Sequence, residues 1–184
     1  MNIVNTPIKD LLIFEPKVWN DNRGYFFESF NDKIFEQNGI NVRFVQDNQS
    51  LSHKGTLRGL HAQAPPFAQG KLVRVISGKV IDVAVDIRKK SPTFGQHFCI
   101  ELSGKNHKQL WIPPGFLHGF LTLEDNTVFT YKVTNYYDKA SEISVVWDDP
   151  TLGVNWSDYI DLSSIILSEK DLHLDSFESF NSPF

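Results

Sequence analysis

Cysteine is almost absent from this chain: Cys99 is alone, so no internal disulfide can form and a reducing compartment is the natural setting. Long hydrophobic runs are missing as well. No apolar stretch approaches the roughly 18 residues that a membrane span needs, and the opening MNIVNTPIKDLL lacks the charged segment and apolar run of a secretory signal. Nor is there a basic excess. Eighteen Lys and Arg face 22 Asp and Glu, a formal charge of -4, which argues against a general nucleic-acid or anionic-membrane binder. Any anion must then be held by a local cluster. No internal repeat, low-complexity tract or linker interrupts the sequence. With 184 residues, 41% hydrophobic and 22% charged, the expectation is one domain over residues 1–184, cytoplasmic, with neither nucleic acid nor membrane as partner.

What the chain has is a run of short β-patterned segments. Leu11–Val18, Tyr25–Phe30, Val42–Gln49, the stretch from Thr56, Leu72–Ile76, Val80–Ile87, Gln96–Leu102, Gln109–Ile112, Phe116–Leu123, Val128–Val133 and Glu142–Trp147 read as strands. Asn31–Asn38 is the first helical candidate, with Asn31 as cap and Gly39 as terminator, and a last helical turn is expected after Ser168. Ser77-Gly78-Lys79 reads as a hairpin connection. In Val80–Ile87 one face holds Ile81, Val83, Val85 and Ile87, and the other Asp82, Ala84 and Asp86. Strands at roughly ten-residue spacing indicate an all-β sandwich or barrel with minor helix, not a parallel α/β sheet. Fifteen phenylalanines are available for a core, a dimer interface or a stacking site.

The chemistry concentrates in Thr56–Ser77, a strand broken at Pro65-Pro66 and resumed at Lys71, which presents Arg58, His61, Gln63, Gln69 and Lys71. His61 serves as a base if a carboxylate orients its ring. Asp82, Asp86 and Asp171 are the candidates, and spacing alone does not choose among them. Lys71 suits an oxyanion or a phosphate. Tyr131 shares its strand face with Phe129 and Val133, and is either an acid or a core tyrosine. Arg58 and His61, three apart, point to opposite faces of a regular strand, and serve one site only if the strand is bent, for which Gly59 is a candidate bulge position. Asp171, in Ser168-Glu169-Lys170-Asp171, reads locally as part of a capping box.

Two strand entries, Gly55-x5-His61 and the P-x-G-x-x-H run ending at His118, resemble the two motifs of the cupin superfamily. Metal-binding cupins continue the first as H-x-H followed by a Glu. Here Gln63 replaces the second His, and Gln69 and Lys71 occupy the region of the Glu. A neutral amide ligates Zn or Fe poorly and an ammonium not at all, so the expectation is no metal and no cofactor.

Longer runs carry a closer resemblance. Asp21–Glu28 (DNRGYFFE), Phe44–Asn48 (FVQDN), Leu57–His61 (LRGLH), Ala68–Arg74 (AQGKLVR), Val83–Arg88 (VAVDIR), Trp111–Phe120 (WIPPGFLHGF) and Tyr131–Tyr137 (YKVTNYY) resemble dTDP-4-dehydrorhamnose 3,5-epimerase, in order and with family-like spacing. The resemblance implies a metal-free cupin-type β-helix or jelly-roll barrel, a homodimer, and dTDP-4-dehydro-6-deoxy-D-glucose as substrate on the route to dTDP-L-rhamnose. It implies His61 as the base at carbons 5 and 3, Lys71 stabilising the enolate oxygen, Tyr131 as the acid, and Asp171 paired with His61. It further implies Arg23, Gln46, Asn48 and Arg58 on the nucleotide and diphosphate, Glu28 among the substrate-binding residues, Phe26 from the partner subunit, His118 lining the sugar site and Tyr136 near the thymine. One departure is Ala62, where the family usually has a large aromatic; by alternation it points away from His61. A relative that epimerises one carbon only is the alternative enzyme, and a non-catalytic sugar-nucleotide-binding cupin the alternative class.

Overall fold

The computed structural model describes residues 1–184. The strands in chain order are β1 (Asn2–Asn5), β2 (Leu12–Glu15), β3 (Trp19–Asp21), β4 (Gly24–Phe26), β5 (Gln46–Ser52), β6 (Leu57–Gln63), β7 (Lys71–Ser77), β8 (Lys79–Asp86), β9 (His97–Ser103), β10 (Gln109–Ile112), β11 (Phe116–Thr122), β12 (Thr127–Val133) and β13 (Glu142–Ser144). One helix, α1 (Asp32–Gln37), lies between β4 and β5. A six-stranded sheet runs β1-β2-β10-β7-β12-β5, a five-stranded sheet runs β13-β6-β11-β8-β9, and β3-β4 form a separate hairpin. All ladders are antiparallel.

Alternation builds three cores from this arrangement. Between the sheets lie Val73 and Val75 of β7, Val80 and Ala84 of β8, Phe116 and Phe120 of β11 and Phe129 of β12. Behind the five-stranded sheet, Ile81, Val83, Val85 and Ile87 pack with Leu57, Leu60 and Leu121 under Val145, Leu152, Trp156 and Phe177 of the C-terminal segment. The aliphatic face of β8 therefore turns away from the barrel interior, and Asp82 turns into it. Both faces are buried, because the tail covers one and the opposing sheet the other. Behind the six-stranded sheet, Phe35 of α1 stacks on Phe14 at 4.5 Å and joins Leu72 and Trp111.

Several local expectations change. Ser77-Gly78-Lys79 is not a hairpin connection: β7 pairs with β10 and β12, and β8 with β9 and β11, so these residues carry the chain from one sheet to the other. Gly78 adopts φ +83°, and a Cβ there would lie 2.2 Å from Thr127 Oγ1. Asn31 occupies the helix cap, but its side chain donates to Glu28 instead of capping. The strand expected over Tyr25–Phe30 stops at Phe26, that over Val42–Gln49 begins only at Gln46, and that over Glu142–Trp147 stops at Ser144. The turn after Ser168 forms as a 3₁₀ turn over Glu169–Asp171.

Candidate functional site

The bulge that the Arg58–His61 spacing demanded is present. In the β6–β11 ladder His118 faces His61 and Phe120 faces Arg58, so three steps on β6 match two on β11. Gly59 absorbs the extra residue at φ +129°, and a Cβ on it would meet Gly119 Cα at 2.5 Å. After the bulge both Arg58 and His61 turn into the barrel, while Leu57, Leu60 and Ala62 remain in the core behind the sheet. The bend costs the chain one ladder position and delivers a base and a cation to the same side.

Strand alternation supplies the other walls. Gln46 and Asn48 of β5, Lys71 of β7 and Tyr131 of β12 project inward at one open end of the barrel. They line a cleft with two adjoining lobes of about 420 and 490 Å³. Asn48, His61, Lys71, Tyr131 and Lys170 border both lobes. Volumes of this size suit a ligand larger than a bare sugar.

The structure assigns each aspartate a different partner. Asp171, 3% exposed, places Oδ1 2.6 Å from His61 Nε2, while its Oδ2 accepts from Ser168 Oγ at 2.7 Å. The expected capping box does not form, because the Ser168 hydroxyl bonds the Asp171 carboxylate and caps no backbone N–H; one carboxylate carries this local contact and the long-range pairing together. Asp82 places Oδ2 3.0 Å from His118 Nε2, with both groups buried. Asp86, fully buried, is held by Arg88, Ser91 and Thr93 away from the cleft. For His61, the acceptor oxygen on Nε2 keeps the proton there and leaves the Nδ1 lone pair free to act as a base. Burial holds the His61 pKa below the ordinary 6.5, with Asp171 opposing, so the ring is neutral at neutral pH.

Lys71 carries the strongest electrostatic anomaly. No carboxylate comes within ion-pair distance of its ammonium, and burial lowers its pKa from 10.5 to about 8, against the pull of Asp82 and Glu142. An unpaired cation in a partly enclosed cleft is costly unless an anion arrives. Tyr131 faces the same space, its pKa raised by burial against the charges of Arg58 and Lys170, so its phenol stays protonated. Arg58 is steadied by Ser52, whose Oγ accepts from Nε at 3.3 Å.

The remaining candidates divide. Gln46 and Asn48 line the cleft, bonded to each other at 2.7 Å. Tyr136 is exposed beside it, its backbone carbonyl accepting from Gln63. Arg23, Phe26 and Glu28 border neither lobe. Arg23 pairs with Asp21 on the exposed β3–β4 hairpin, Phe26 lies 6.0 Å from Trp19, and Glu28 accepts from Asn31. Gln63 is a clamp, donating to Phe67 and Tyr136 carbonyls and accepting from Asp138 N. In the smaller lobe three residues escaped the sequence reading, Tyr137, Glu142 and Lys170, and in the larger one Gln49, Ser50 and Phe120 did. Lys170 could have been flagged as the neighbour of Asp171; nothing local marks Glu142. His61 and His118 each spend Nε2 on a carboxylate, and nowhere do three His, Cys, Asp or Glu side chains gather as a metal would require.

Comparison with known proteins agrees in sequence and in shape. The profile of the dTDP-4-dehydrorhamnose 3,5-epimerase family matches residues 5–179. The dTDP-4-dehydrorhamnose 3,5-epimerase of Shigella flexneri is 52% identical over 178 residues, covering 96% of either chain. The crystal structure of the enzyme of that name from Elizabethkingia anophelis superposes with a TM-score of 0.93 at 47% identity, covering 99% of each chain. A dTDP-6-deoxy-D-glucose-3,5-epimerase from Legionella pneumophila, solved with dTDP-4-keto-L-rhamnose, gives a TM-score of 0.92 at 49% identity, covering 98% of this chain and 94% of its own.

Proposed function

This chain belongs to the dTDP-4-dehydrorhamnose 3,5-epimerase family, and from that membership we propose how its residues invert carbons 3 and 5 of dTDP-4-dehydro-6-deoxy-D-glucose. Inversion next to a ketone needs a base on one face of the sugar, an acid on the other, and positive charge where the carbonyl oxygen becomes an enolate. His61 Nδ1 removes the proton α to the C4 ketone, and Asp171 stabilises the imidazolium that results. The C4 oxygen gains negative charge beside the Lys71 ammonium. Tyr131 then delivers a proton to the opposite face of the same carbon, leaving it inverted. The phenolate recovers its proton and the imidazolium releases its own before the second carbon reacts. No electrons leave the substrate, so no redox partner is required.

The observation that carries this reading is the convergence of an oriented neutral histidine, an unpaired lysine and a protonated tyrosine on one cleft. Arg58, Gln46 and Asn48 hold the nucleotide diphosphate, and His118, kept in place by Asp82, lines the sugar lobe. The chain works as a homodimer in which Arg23, Phe26 and Glu28 of the β3–β4 region reach the partner's cleft, while Tyr136 meets the thymine. What supports this is their exposure: Phe26 and Tyr136 leave 66% and 63% of their surface uncovered. Residues 1–184 act as one domain throughout.

Incubation with the substrate in heavy water tests the whole scheme. Deuterium is expected at both carbons. Label at one carbon alone would make the enzyme a mono-epimerase, and none at either would sink the catalytic reading. His61→Asn is expected to abolish exchange while leaving dTDP binding nearly unchanged, and sedimentation is expected to give a dimer.

A further inference from the structure

Two connections border the 420 Å³ lobe, and both cross from one sheet to the other. Residues 64–70 lead from β6 to β7, and residues 134–141 lead from β12 to β13. Neither connection belongs to a ladder, so their relative position depends on other bonds. Several stitches run between them. Ala64 N donates to Ser141 O at 2.8 Å, and Thr134 N to Gly70 O at 3.0 Å. Gly70 N donates to Thr134 Oγ1 at 2.8 Å, Gln69 Nε2 to Asn135 O at 2.7 Å, and Asn135 Nδ2 to Pro66 O at 3.2 Å.

Gln63, the last residue of β6 and buried, spends its amide on both connections. Its Nε2 donates to Phe67 O at 2.6 Å and to Tyr136 O at 3.1 Å, and its Oε1 accepts from Asp138 N at 2.9 Å. Two carbonyls and one N–H fix the orientation of the amide. The bonds at Tyr136 O and Asp138 N bracket residue 137, so they set the backbone from which the exposed Tyr136 and Tyr137 rings project. Both amide hydrogens are used within the protein. Gln63 therefore has none to give a ligand and acts through the loops. The same strand carries Arg58, His61 and Gln63, so one stretch of backbone sets the separation between the cation, the base and the loop wall. A ring that stacks on this wall depends on that placement, because aromatic contacts prefer particular offsets and angles.

We infer that Gln63 is a positioning residue for nucleotide binding: it locks residues 64–70 and 134–138 into one wall and so sets where the base of the substrate stacks. The inference rests on the reading that places the thymine against the loop carrying Tyr136.

Calorimetric titration of the full-length protein with dTDP and with inorganic pyrophosphate tests it. Pyrophosphate fills only the anion positions and makes no use of the wall. Gln63→Met keeps the length of the side chain and loses all three bonds. If the aligned wall is then populated only about 2–10% of the time, dTDP affinity falls about 10- to 50-fold while pyrophosphate affinity holds within about twofold. With the full substrate, KM should rise in step and kcat stay within about threefold, the pattern of a contact made equally in ground and transition states. Asn135→Ala cuts the stitch to Pro66 outside both lobes, and serves if Gln63→Met folds poorly. It is expected to lower dTDP affinity at least about threefold, again with pyrophosphate unaffected. Unchanged dTDP binding in either folded variant overturns the inference. So does an equal loss of pyrophosphate binding, which would make Gln63 a structural residue of the whole cleft. Wild-type protein that binds pyrophosphate but not dTDP would sink the nucleotide reading itself, and the inference with it.

Discussion

Replacing Lys71 by Met separates what this residue does for catalysis from what it does to the fold. In the folded protein its pKa lies near 8, against 10.5 for an ordinary lysine, because burial disfavours the charged form. That fall corresponds to roughly 3 kcal/mol at about 1.4 kcal/mol per pH unit, the cost of keeping the ammonium charged at neutral pH. Water in the open cleft reduces the figure, so about 2 kcal/mol is a fair expectation. Methionine has nearly the same length and no charge, so Lys71→Met is expected to raise Tm by about 4–8 °C at pH 7. The pH dependence is equally specific. Below pH 8 both folded and unfolded chains hold the proton, and the whole cost is present. Between pH 8 and 10.5 the unfolded chain binds more protons than the folded one, so wild-type stability gains with rising pH relative to the variant. Above 10.5 the difference disappears. Catalysis should move the other way: loss of the charge beside the enolate oxygen is expected to reduce kcat by about 100- to 1,000-fold. Calorimetry of both proteins from pH 6 to 10, beside deuterium exchange, makes the check. A variant less stable than wild type at pH 7, or one that keeps full exchange, would refute the argument that Lys71 is held charged at a cost for the sake of the enolate.

Other outcomes follow from the same geometry. For the free enzyme, the acidic limb of kcat/KM should have its midpoint below pH 6.5, where His61 gains a proton, and the alkaline limb should run through about pH 8 as Lys71 loses one; an acidic midpoint above 6.5 would contradict the burial of His61. Asp171→Asn should lower exchange by about 100- to 10,000-fold with substrate affinity little changed, measured by single-turnover kinetics. Tyr131→Phe should retain washout of substrate protons while inversion drops, because the base remains and the acid on the opposite face is gone; chiral analysis of recovered sugar decides. Gly59→Ala should cost about 3 kcal/mol by denaturant titration, since its Cβ would press on Gly119 Cα at 2.5 Å with φ at +129°, and activity should fall as Arg58 and His61 lose their shared face.

The candidate machinery was legible in unequal measure. Nearly every strand could be located, because alternating apolar residues and Gly, Pro or Asn turns are local signals. The bulge was also legible. Arg58 and His61 could share a site only if the strand bent, and Gly59 between them offered a bulge position. The partner of Ser77-Gly78-Lys79 was not legible, because a short glycine-containing turn looks the same whether it closes a hairpin or passes between sheets. Nor could alternation in β8 say which face meets the barrel interior, since a C-terminal tail sequenced far downstream covers the more aliphatic side.

By itself, then, the sequence determined a β-rich chain without disulfide chemistry and a stretch that gathers Arg58, His61 and Lys71 within fourteen positions. Those properties depend on composition and on periods of a few residues. Tertiary structure decided which of three aspartates serves His61, since Asp171 lies 110 positions away and only chain closure brings it to 2.6 Å. It also decided that Lys71 stands unpaired and that Glu142 meets Lys170, because a charge is costly or useful according to what surrounds it. Contacts of that range leave no periodic trace in the chain.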